Sequence, residues 1–276
     1  MRDYDLDATL TSGQAFRWRR EGEGWTGVIA GRWVRLVLRD GRLHANTVVP
    51  QSDWRWLSHY LQVEAELDTV LETFPNDPPL RAAVAACRGL RLLRQDPWEC
   101  LASFLMSATK QIVQIQEIVE LLCERFGDLI PGPAGRGAAH DFPDATRIAV
   151  LGEVELRRCK MGFRAPHLLA AARAVAEGRL VLASLRDLPL ESAREQLMRL
   201  DGVGPKIADC VLLFGYGFPQ AFPVDVWVER ALRELYFQGR RVRARKVLEF
   251  AATHFGPHSG YAQQYLFHFA RTRGQQ

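Results

Sequence analysis

The chain has 276 residues and 47 % of them are hydrophobic, so it is long enough to bury a sizeable core and is neither disordered nor fibrous. Its formal net charge of +4 is a mild basic excess that suits a polyanionic partner without demonstrating one. No apolar run approaches the ~20 residues that span a bilayer, which excludes a membrane role. The five cysteines are widely spaced with no C-x-x-C pair, and no signal-peptide pattern opens the chain. We therefore expect reduced thiols in a cytosol, with no zinc or iron-sulfur site.

The first fifty residues carry a strand pattern. In "GWTGVIAGRWVRLVLRDGRLHANTV", residues 24–48, apolar and polar residues alternate, and Ala30-Gly31 and Asp40-Gly41 are typical hairpin turns. This pattern predicts a small antiparallel sheet, preceded by the extended stretch "SGQAFRWRR". From Trp54 onward the periodicity is helical, so the sequence predicts an α+β fold that is mainly α.

The helical part is divided by capping residues and loops. The stretch 96–127 is too long for one ordinary helix; we expect Asp96 to cap it, Pro97 to open it, and a break near residues 107–110. Residues 127–142 are rich in proline and glycine and predict a surface loop. Further helices are predicted at 165–177, 191–199, 206–214, 226–237, 243–254 and 261–271.

One of these junctions reads "LMRLDGVGPKIADCVLLF", residues 197–214. A helix ending near Leu200 and another that opens at about residue 205 would form a helix-hairpin-helix. Glycines in the turn permit positive backbone torsions, and free amides at the start of the second helix can hold a phosphate. The turn residues in question are Gly202, Val203 and Gly204. On the G-x-G-K pattern alone, an ordinary αα-hairpin with a solvated lysine is the more common explanation.

The basic residues point to nitrogen chemistry at this hairpin. Only four of the 36 are lysines, and Lys206 is one of them. Arginine cannot lose its proton in a protein, whereas a lysine beside the positive end of a helix dipole is favoured as the neutral, nucleophilic amine. Asp225 precedes a helix about twenty residues later and reads first as an N-cap. A carboxylate held that way can also stabilise cationic charge on a sugar during N-glycosidic cleavage.

Taken together, "LDGVGPKIADC" and the following "PVDV" resemble the helix-hairpin-helix DNA glycosylases with a Gly/Pro-rich loop and an aspartate. More narrowly, the chain is similar to the 8-oxoguanine DNA glycosylases of eukaryotic type, through "SGQAFRWR", "RGLRLLRQDPWECLASFL", "MGFRA" and "GYAQQYLF" in that order. The resemblance implies an N-terminal antiparallel β domain with a flanking helix over residues 1–80, like half of a TATA-binding protein. It implies a helical domain of two lobes around a cleft over residues 81–276.

The activity that this resemblance implies is base excision repair. The damaged nucleotide would be flipped out of the duplex, Lys206 would attack the sugar C1′, and Asp225 would assist. The base would leave, a Schiff base would form, and β-elimination could nick the strand. The implied partner is damaged double-stranded DNA, bound by a monomer in a bacterial cytosol, with no cofactor and no iron-sulfur cluster.

The same resemblance implies which residues recognise the damaged base. The carbonyl of Gly13 would accept the N7 hydrogen that oxidised guanine has and guanine lacks. Gln263 and Phe267 are four apart on one helix and so share a face, where one would contact the Watson-Crick edge and the other would stack. Cys210 and Phe214 would line the pocket. Without the resemblance, Gly13 is a turn glycine and the other four are ordinary core residues.

On the opposite strand the chain departs from the family. Residues 107–111 read "SATKQ" where the family usually has an Asn-rich run, glutamine stands at 114 in place of an arginine, and Trp227 replaces a frequent histidine. The resemblance implies an apolar wedge at residue 163 and a remaining arginine at 164 that reads the opposite cytosine. The implied opposite-base and DNA contacts are Arg164, Phe163, Thr109, Lys110 and Gln114.

Two other functions remain open on sequence grounds. A non-catalytic helix-hairpin-helix DNA-binding protein would not require Lys206 and Asp225 together with the Gln263 and Phe267 face. A monofunctional alkylpurine DNA glycosylase of the same fold activates water and lacks the lysine. Relatives similar to endonuclease III usually carry a four-cysteine iron-sulfur loop near the C-terminus, and here no cysteine follows Cys210.

Overall fold

The computed structural model describes residues 3–135 and 137–273. The strands are β1 Arg19–Glu21, β2 Gly24–Ile29, β3 Arg32–Arg39, β4 Arg42–Thr47, β5 Leu129–Ile130 and β6 Ala139–His140. The helices are α1 Leu6–Thr11, α2 Arg55–Leu61, α3 Leu67–Glu72, α4 Pro78–Ala86, α5 Pro97–Met106, α6 Ile112–Phe126, α7 Ala145–Ala149, α8 Glu153–Leu156, α9 Ala165–Ala176, α10 Leu190–Met198, α11 Pro205–Val211, α12 Val226–Leu235, α13 Ala244–His254 and α14 Ser259–Arg273.

The N-terminal sheet has the predicted form. Strands β1 to β4 pair in sequence order and antiparallel. Both two-residue turns have positive φ at each position: Ala30 at 46° with Gly31 at 71°, and Asp40 at 49° with Gly41 at 68°. These torsions match the right-handed twist of a hairpin, which confirms the turns read from the sequence.

The predicted break in the long helical stretch is also confirmed. Asp96 caps α5 by accepting a hydrogen bond from the amide of Glu99 at 2.9 Å, and Pro97 is the first helical residue. The helix ends at Met106 and α6 begins at Ile112, with Thr109 between them at a φ of 57°. The sequence therefore located the turn that carries residues 107–111.

Two local predictions were wrong. The proline- and glycine-rich stretch 127–142 contains the short ribbon of β5 and β6, which continues where the Asp141 amide donates to the Asp128 carbonyl at 2.9 Å. The helix expected over 206–214 keeps α-helical geometry only as far as Val211. It then widens into one π-helical turn, Leu212–Tyr216, closed by a hydrogen bond from the Gly217 amide to the Leu212 carbonyl.

Two apolar cores meet along the chain. One lies between the sheet and α1 and α2, and it includes Leu93 from beyond residue 80. The other lies among the helices from α3 onward and includes Ala8 and Phe16 from the N-terminal segment. Side chains cross in both directions, so the two parts are joined by packing; the boundary at residue 80 stays a prediction. Within the described ranges, no helix is both long enough and apolar enough to span a membrane.

Candidate active site

The helix-hairpin-helix is formed by α10 and α11. Gly204 caps α11 and Gly202 has a φ of +83°. A Cβ at Gly202 would lie 2.7 Å from Cγ of His167, so both the torsion and the packing require glycine. The Val203 amide donates to the Leu200 carbonyl at 3.1 Å, so it is used inside the turn. Of the three expected phosphate-binding residues, Val203 thus contributes its amide to the hairpin itself.

Lys206 is the second residue of α11 and is half-buried. Its Nζ donates a hydrogen bond to Oγ of Ser107 at 3.4 Å and lies 4.9 Å from the centroid of the Phe104 ring. Phe104 in turn stacks on Phe214 at 5.7 Å between centroids. The amine therefore lies over the stacked rings of Phe104 and Phe214 and is only partly exposed to solvent.

Cys210 lies one turn after Lys206 and is buried. Burial raises the pKa of its thiol to about 12, even though the neighbouring Lys206 acts to lower it. The thiol is therefore neutral at physiological pH and does not compete with the amine as a nucleophile.

Asp225 caps α12, as the sequence predicts. Its carboxylate accepts hydrogen bonds from the amides of Trp227 at 3.0 Å and Val228 at 2.8 Å. Burial raises the pKa of this carboxyl, while the two amides and the charge of Lys206 act in the opposite direction. The Asp225 carboxylate thus both caps α12 and interacts electrostatically with Lys206, and the two amide hydrogen bonds hold it in place.

The expected base-recognition residues come together from opposite ends of the chain. Gly13 has a φ of +74°, and a Cβ there would lie 3.0 Å from Cδ1 of Ile112 and 3.3 Å from Cε1 of Phe267. Gln263 is buried, and its Oε1 has no hydrogen-bond partner within the part of the chain that the structure describes. Gly13, Phe267 and Gln263 therefore define a wall with little room for any larger residue at position 13.

A chain of contacts links this wall to the catalytic pair. Arg271 lies 5.6 Å from the centroid of the Phe267 ring, and the charge of Asp225 acts on it. On the other side, Ile112 beside Gly13 opens α6, five residues after Ser107, which contacts Lys206. Contacts through Ser107, Ile112 and Arg271 thus connect the lysine, the carboxylate and the base-recognition wall, and we call this connected group the candidate cleft.

The expected opposite-base residues lie on the turn between α5 and α6, in the first turn of α6, and on the short helical turn Gly162–Arg164. Arg164 is buried and donates hydrogen bonds to the carbonyls of Met161, at 3.2 Å, and Ala108. It also donates to Oγ1 of Thr109 at 2.5 Å. Its guanidinium is thus bonded to the protein itself, and whether it reads the opposite base stays a prediction.

Its neighbours in that group differ in exposure. Phe163 is 57 % exposed, as an apolar wedge must be. Its ring lies 4.2 Å from Cζ of Arg164. Gln114 accepts a hydrogen bond from the Gln111 amide at 3.1 Å and so caps α6. The Lys110 amide donates to the Ser107 carbonyl, which tightens the turn.

Sequence reasoning missed several residues of the cleft. Phe104 and Ser107 were read only as parts of a helix and a turn, although both contact Lys206. His167 beneath Gly202, and Gln264 and Arg271 on α14, were not anticipated. These contacts join segments far apart in sequence, so no local pattern could have located them. In the described part of the chain, no three His, Cys, Asp or Glu side chains are grouped to hold a metal ion.

Two family models match the chain. The 8-oxoguanine DNA glycosylase N-terminal domain matches residues 1–101, and the HhH-GPD superfamily of base excision DNA repair proteins matches residues 102–256. A probable N-glycosylase/DNA lyase of Methanothermobacter thermautotrophicus is 29 % identical to this chain. The match covers 99 % of this chain and 95 % of that protein. An N-glycosylase/DNA lyase of Arabidopsis thaliana is 31 % identical over 283 residues, covering 96 % and 77 %.

A solved structure is similar over almost the whole chain. It is the Clostridium acetobutylicum 8-oxoguanine glycosylase/lyase in complex with double-stranded DNA containing cytosine opposite 8-oxoguanine. The identity is 30 %, the TM-score is 0.93, and the match covers 98 % of this chain and 93 % of that one. Fold and cleft thus define a base excision DNA glycosylase. The chain belongs to the HhH-GPD superfamily of base excision DNA repair proteins, in the branch with the 8-oxoguanine DNA glycosylase N-terminal domain. The family resemblance and the fold class read from the sequence are confirmed.

Proposed function

We propose that this chain excises 8-oxoguanine from duplex DNA through a lysine Schiff base and can then nick the abasic strand. The observation that carries the proposal is that the charges of Lys206 and Asp225 act on each other and that contacts through Ser107, Ile112 and Arg271 connect this pair to the base-recognition wall. Relatives named N-glycosylase/DNA lyase support a bifunctional enzyme, and a DNA-bound homologue supports double-stranded DNA as the partner.

The hydrogen-bond acceptors of the wall suit an oxidised purine. No residue in the described ranges donates to the Gly13 carbonyl, and Oε1 of Gln263 is buried without a partner. An unsatisfied buried acceptor is costly, so Oε1 of Gln263 favours a ligand with N–H donors, and the Gly13 carbonyl is free to accept from the same ligand. 8-Oxoguanine offers the N7 hydrogen to Gly13 and Watson-Crick N–H groups to Gln263, while its ring can stack on Phe267.

The catalytic pair can perform both steps. The neutral amine of Lys206 attacks C1′, the bond from C1′ to N9 breaks, and the base leaves with the electron pair and takes up a proton. The Asp225 carboxylate stabilises the cationic charge that develops on the sugar. The attached nitrogen then loses a proton and the C1′–O4′ bond breaks, with O4′ taking up a proton, which opens the sugar ring and gives the Schiff base at C1′. Removal of a C2′ proton then expels the 3′ phosphate by β-elimination.

The remaining expectations belong to this proposal. Schiff-base chemistry uses the amine of the chain itself, so we propose an enzyme that acts on damaged DNA as a monomer without a cofactor. All five cysteines are free and buried, which is compatible with the reducing cytosol proposed for it.

Borohydride trapping tests the proposal. Duplexes with 8-oxoguanine, an abasic site, an alkylated purine or undamaged guanine are incubated with enzyme and borohydride, and covalent adducts are counted by electrophoresis. We expect adducts with 8-oxoguanine and the abasic site, and none with Lys206→Gln or Lys206→Arg, since a permanent guanidinium cation cannot attack. Release of the alkylated purine without an adduct would instead identify a monofunctional alkylpurine glycosylase. Binding without release of any base would identify a DNA-binding protein.

A further inference from the structure

Three backbone carbonyls around Gly13 are each occupied by a long side chain. The Thr11 carbonyl accepts from Nη2 of Arg271, and the Ser12 carbonyl accepts from Nε2 of Gln264 at 2.8 Å. The Gln14 carbonyl accepts from Nε2 of Gln95 at 2.6 Å. Over residues 11–14, the Gly13 carbonyl alone has no donor among the described residues.

Further bonds hold the same segment from the other side. The buried side chain of Gln14 donates to the carbonyls of Thr9 at 3.0 Å and Arg91 at 2.8 Å, and accepts from the Leu93 amide at 2.8 Å. A segment held at the carbonyls of residues 11, 12 and 14 and by the buried Gln14 side chain cannot rotate to satisfy the remaining carbonyl without breaking several of these hydrogen bonds. The direction of the Gly13 carbonyl is therefore set by its neighbours.

Two of the three donors, Gln264 and Arg271, belong to α14, the helix that carries Gln263 and Phe267 of the base-recognition wall. Gln264 follows the pocket residue Gln263, and Arg271 lies 5.6 Å from the centroid of the Phe267 ring. A guanidinium over one face of the ring restrains the ring and leaves the other face for a purine. The same helix thus restrains both the Phe267 ring and the Gly13 carbonyl of the base-recognition wall.

We propose that Gln264, Arg271 and Gln95 form a carbonyl clamp that aims the Gly13 carbonyl at the base and so determines the preference for 8-oxoguanine over guanine. They are positioning residues, because none of them need touch the base. The inference rests on the proposed function and adds the residues that set its specificity. A hydrogen bond weakens steeply as its angle closes, so a small rotation at Gly13 would remove most of the discrimination based on the N7 hydrogen.

Gln264→Met and Arg271→Met test the clamp, with Tyr265→Phe as a matched control. Tyr265 is the next residue on the same helix, is buried, and donates to a distant carbonyl, that of Leu90, at 3.3 Å. For each protein, single-turnover excision of 8-oxoguanine and nicking of a ready-made abasic site are measured on one preparation. Nicking needs the lysine but no base, so the ratio of the two rates is insensitive to the folded fraction.

We expect both clamp variants to lower this ratio about tenfold, the effect of losing one well-aligned hydrogen bond. Tyr265→Phe should leave the ratio unchanged even if it lowers thermal stability. In a Lys206→Gln background, the clamp variants should also lose about tenfold of the binding preference for 8-oxoguanine over guanine duplexes.

The outcomes separate the two proposals. A wild type that neither excises nor prefers 8-oxoguanine contradicts the proposed function. If the wild type does both, and the clamp variants change the ratio and the binding preference no more than Tyr265→Phe does, the clamp is wrong. Should Gln264→Met not fold, Arg271→Met near the end of α14 decides alone by the same criteria.

Discussion

The two sides of the cleft differ in whether their polar groups already have hydrogen-bond partners within the protein. On the lesion side, no donor among the described residues reaches the Gly13 carbonyl or Oε1 of Gln263. The neighbouring carbonyls of Ser12 and Gln14 are bonded. On the opposite-strand side, Arg164 already donates to Ala108 and Thr109, and Gln114 caps α6. The first side is ready for a ligand, whereas the second would have to exchange bonds to receive one.

This difference has an energetic consequence. Preformed acceptors bind without reorganisation, so nearly all of their hydrogen-bond energy contributes to recognition. A guanidinium that must first leave three protein acceptors contributes only the difference between its old and new bonds. The enzyme should therefore discriminate strongly on the lesion and weakly on the opposite base.

The largest effect should follow from Asp225→Asn. We expect excision to fall about 100- to 1000-fold, as for removal of one charge-stabilising group in an active site. Asparagine still accepts from the helix amides, so the free energy of unfolding should fall by no more than ~1 kcal/mol. Single-turnover kinetics and thermal melts measure the two quantities.

Asp144→Asn is the control, because Asp144 caps α7 in the same way, accepting from the Arg147 amide at 2.7 Å. It should leave excision unchanged. If excision and stability fell in proportion for both variants, the carboxylate of Asp225 would be only a cap.

The pH profile adds an independent test of Asp225. Burial raises the pKa of this carboxyl in the folded protein, so excision should be lost on acidification above the pH at which an ordinary aspartate protonates.

The stability of the protein should also depend on pH through Asp225, with a sign opposite to that of a salt-bridged carboxylate. Burial disfavours the ionised carboxylate in the folded state, so at pH above the folded pKa this group lowers the free energy of unfolding. That destabilisation is lost as the pH falls from above the folded pKa to below the unfolded pKa. Asp225→Asn should remove this dependence, as melts across pH would record.

A smaller loss is expected from the base-recognition wall. Phe267→Ala removes stacking worth ~1 to 3 kcal/mol, which is about 5- to 150-fold in excision of 8-oxoguanine. Gly13→Ala should also lower excision, because its Cβ would press on Phe267 and Ile112. Nicking of a preformed abasic site, which needs no base recognition, should persist in both.

Gly178→Ala controls for backbone strain alone, since Gly178 has a φ of +72° and open space around its Cβ position. Equal losses of excision in Gly13→Ala and Gly178→Ala would mean that strain, not the pocket, explains the effect.

The smallest effect should appear on the opposite strand. A complete bidentate reader of a base discriminates by ~1 to 3 kcal/mol, and here Arg164 is partly committed to the protein. We expect excision opposite cytosine to exceed excision opposite the other three bases by less than a eukaryotic homologue shows, with Arg164→Ala lowering the preference further. Four duplexes that differ only in the opposite base provide the measurement. A strong cytosine preference that survives Arg164→Ala would show that another residue, such as Lys110, reads that base.

Local chemistry explains which features could be predicted from the sequence. Asp96 with Pro97, Asp40 with Gly41, and the cap at Asp225 each act within a few residues, so their patterns located helix starts and a turn. Lys206 and Asp225 were singled out by a rare lysine at a hairpin and by a rigid cap, whereas the base-recognition residues came from family resemblance, because nothing local distinguishes Gly13 from any turn glycine. The contacts of Gln264 and Arg271 join residues some 250 positions apart. Such pairings depend on tertiary packing, which no periodicity encodes.

The central claim is that Lys206 is the nucleophile, and the chain makes this directly measurable because it has only four lysines. The borohydride-reduced adduct with an 8-oxoguanine duplex is digested by nuclease and protease, and the modified peptide is located by mass spectrometry. The account predicts the sugar fragment on Lys206 alone, in the peptide that spans α11. A fragment on Lys110, Lys160, Lys246 or the terminal amine, with Lys206 unmodified, would contradict it.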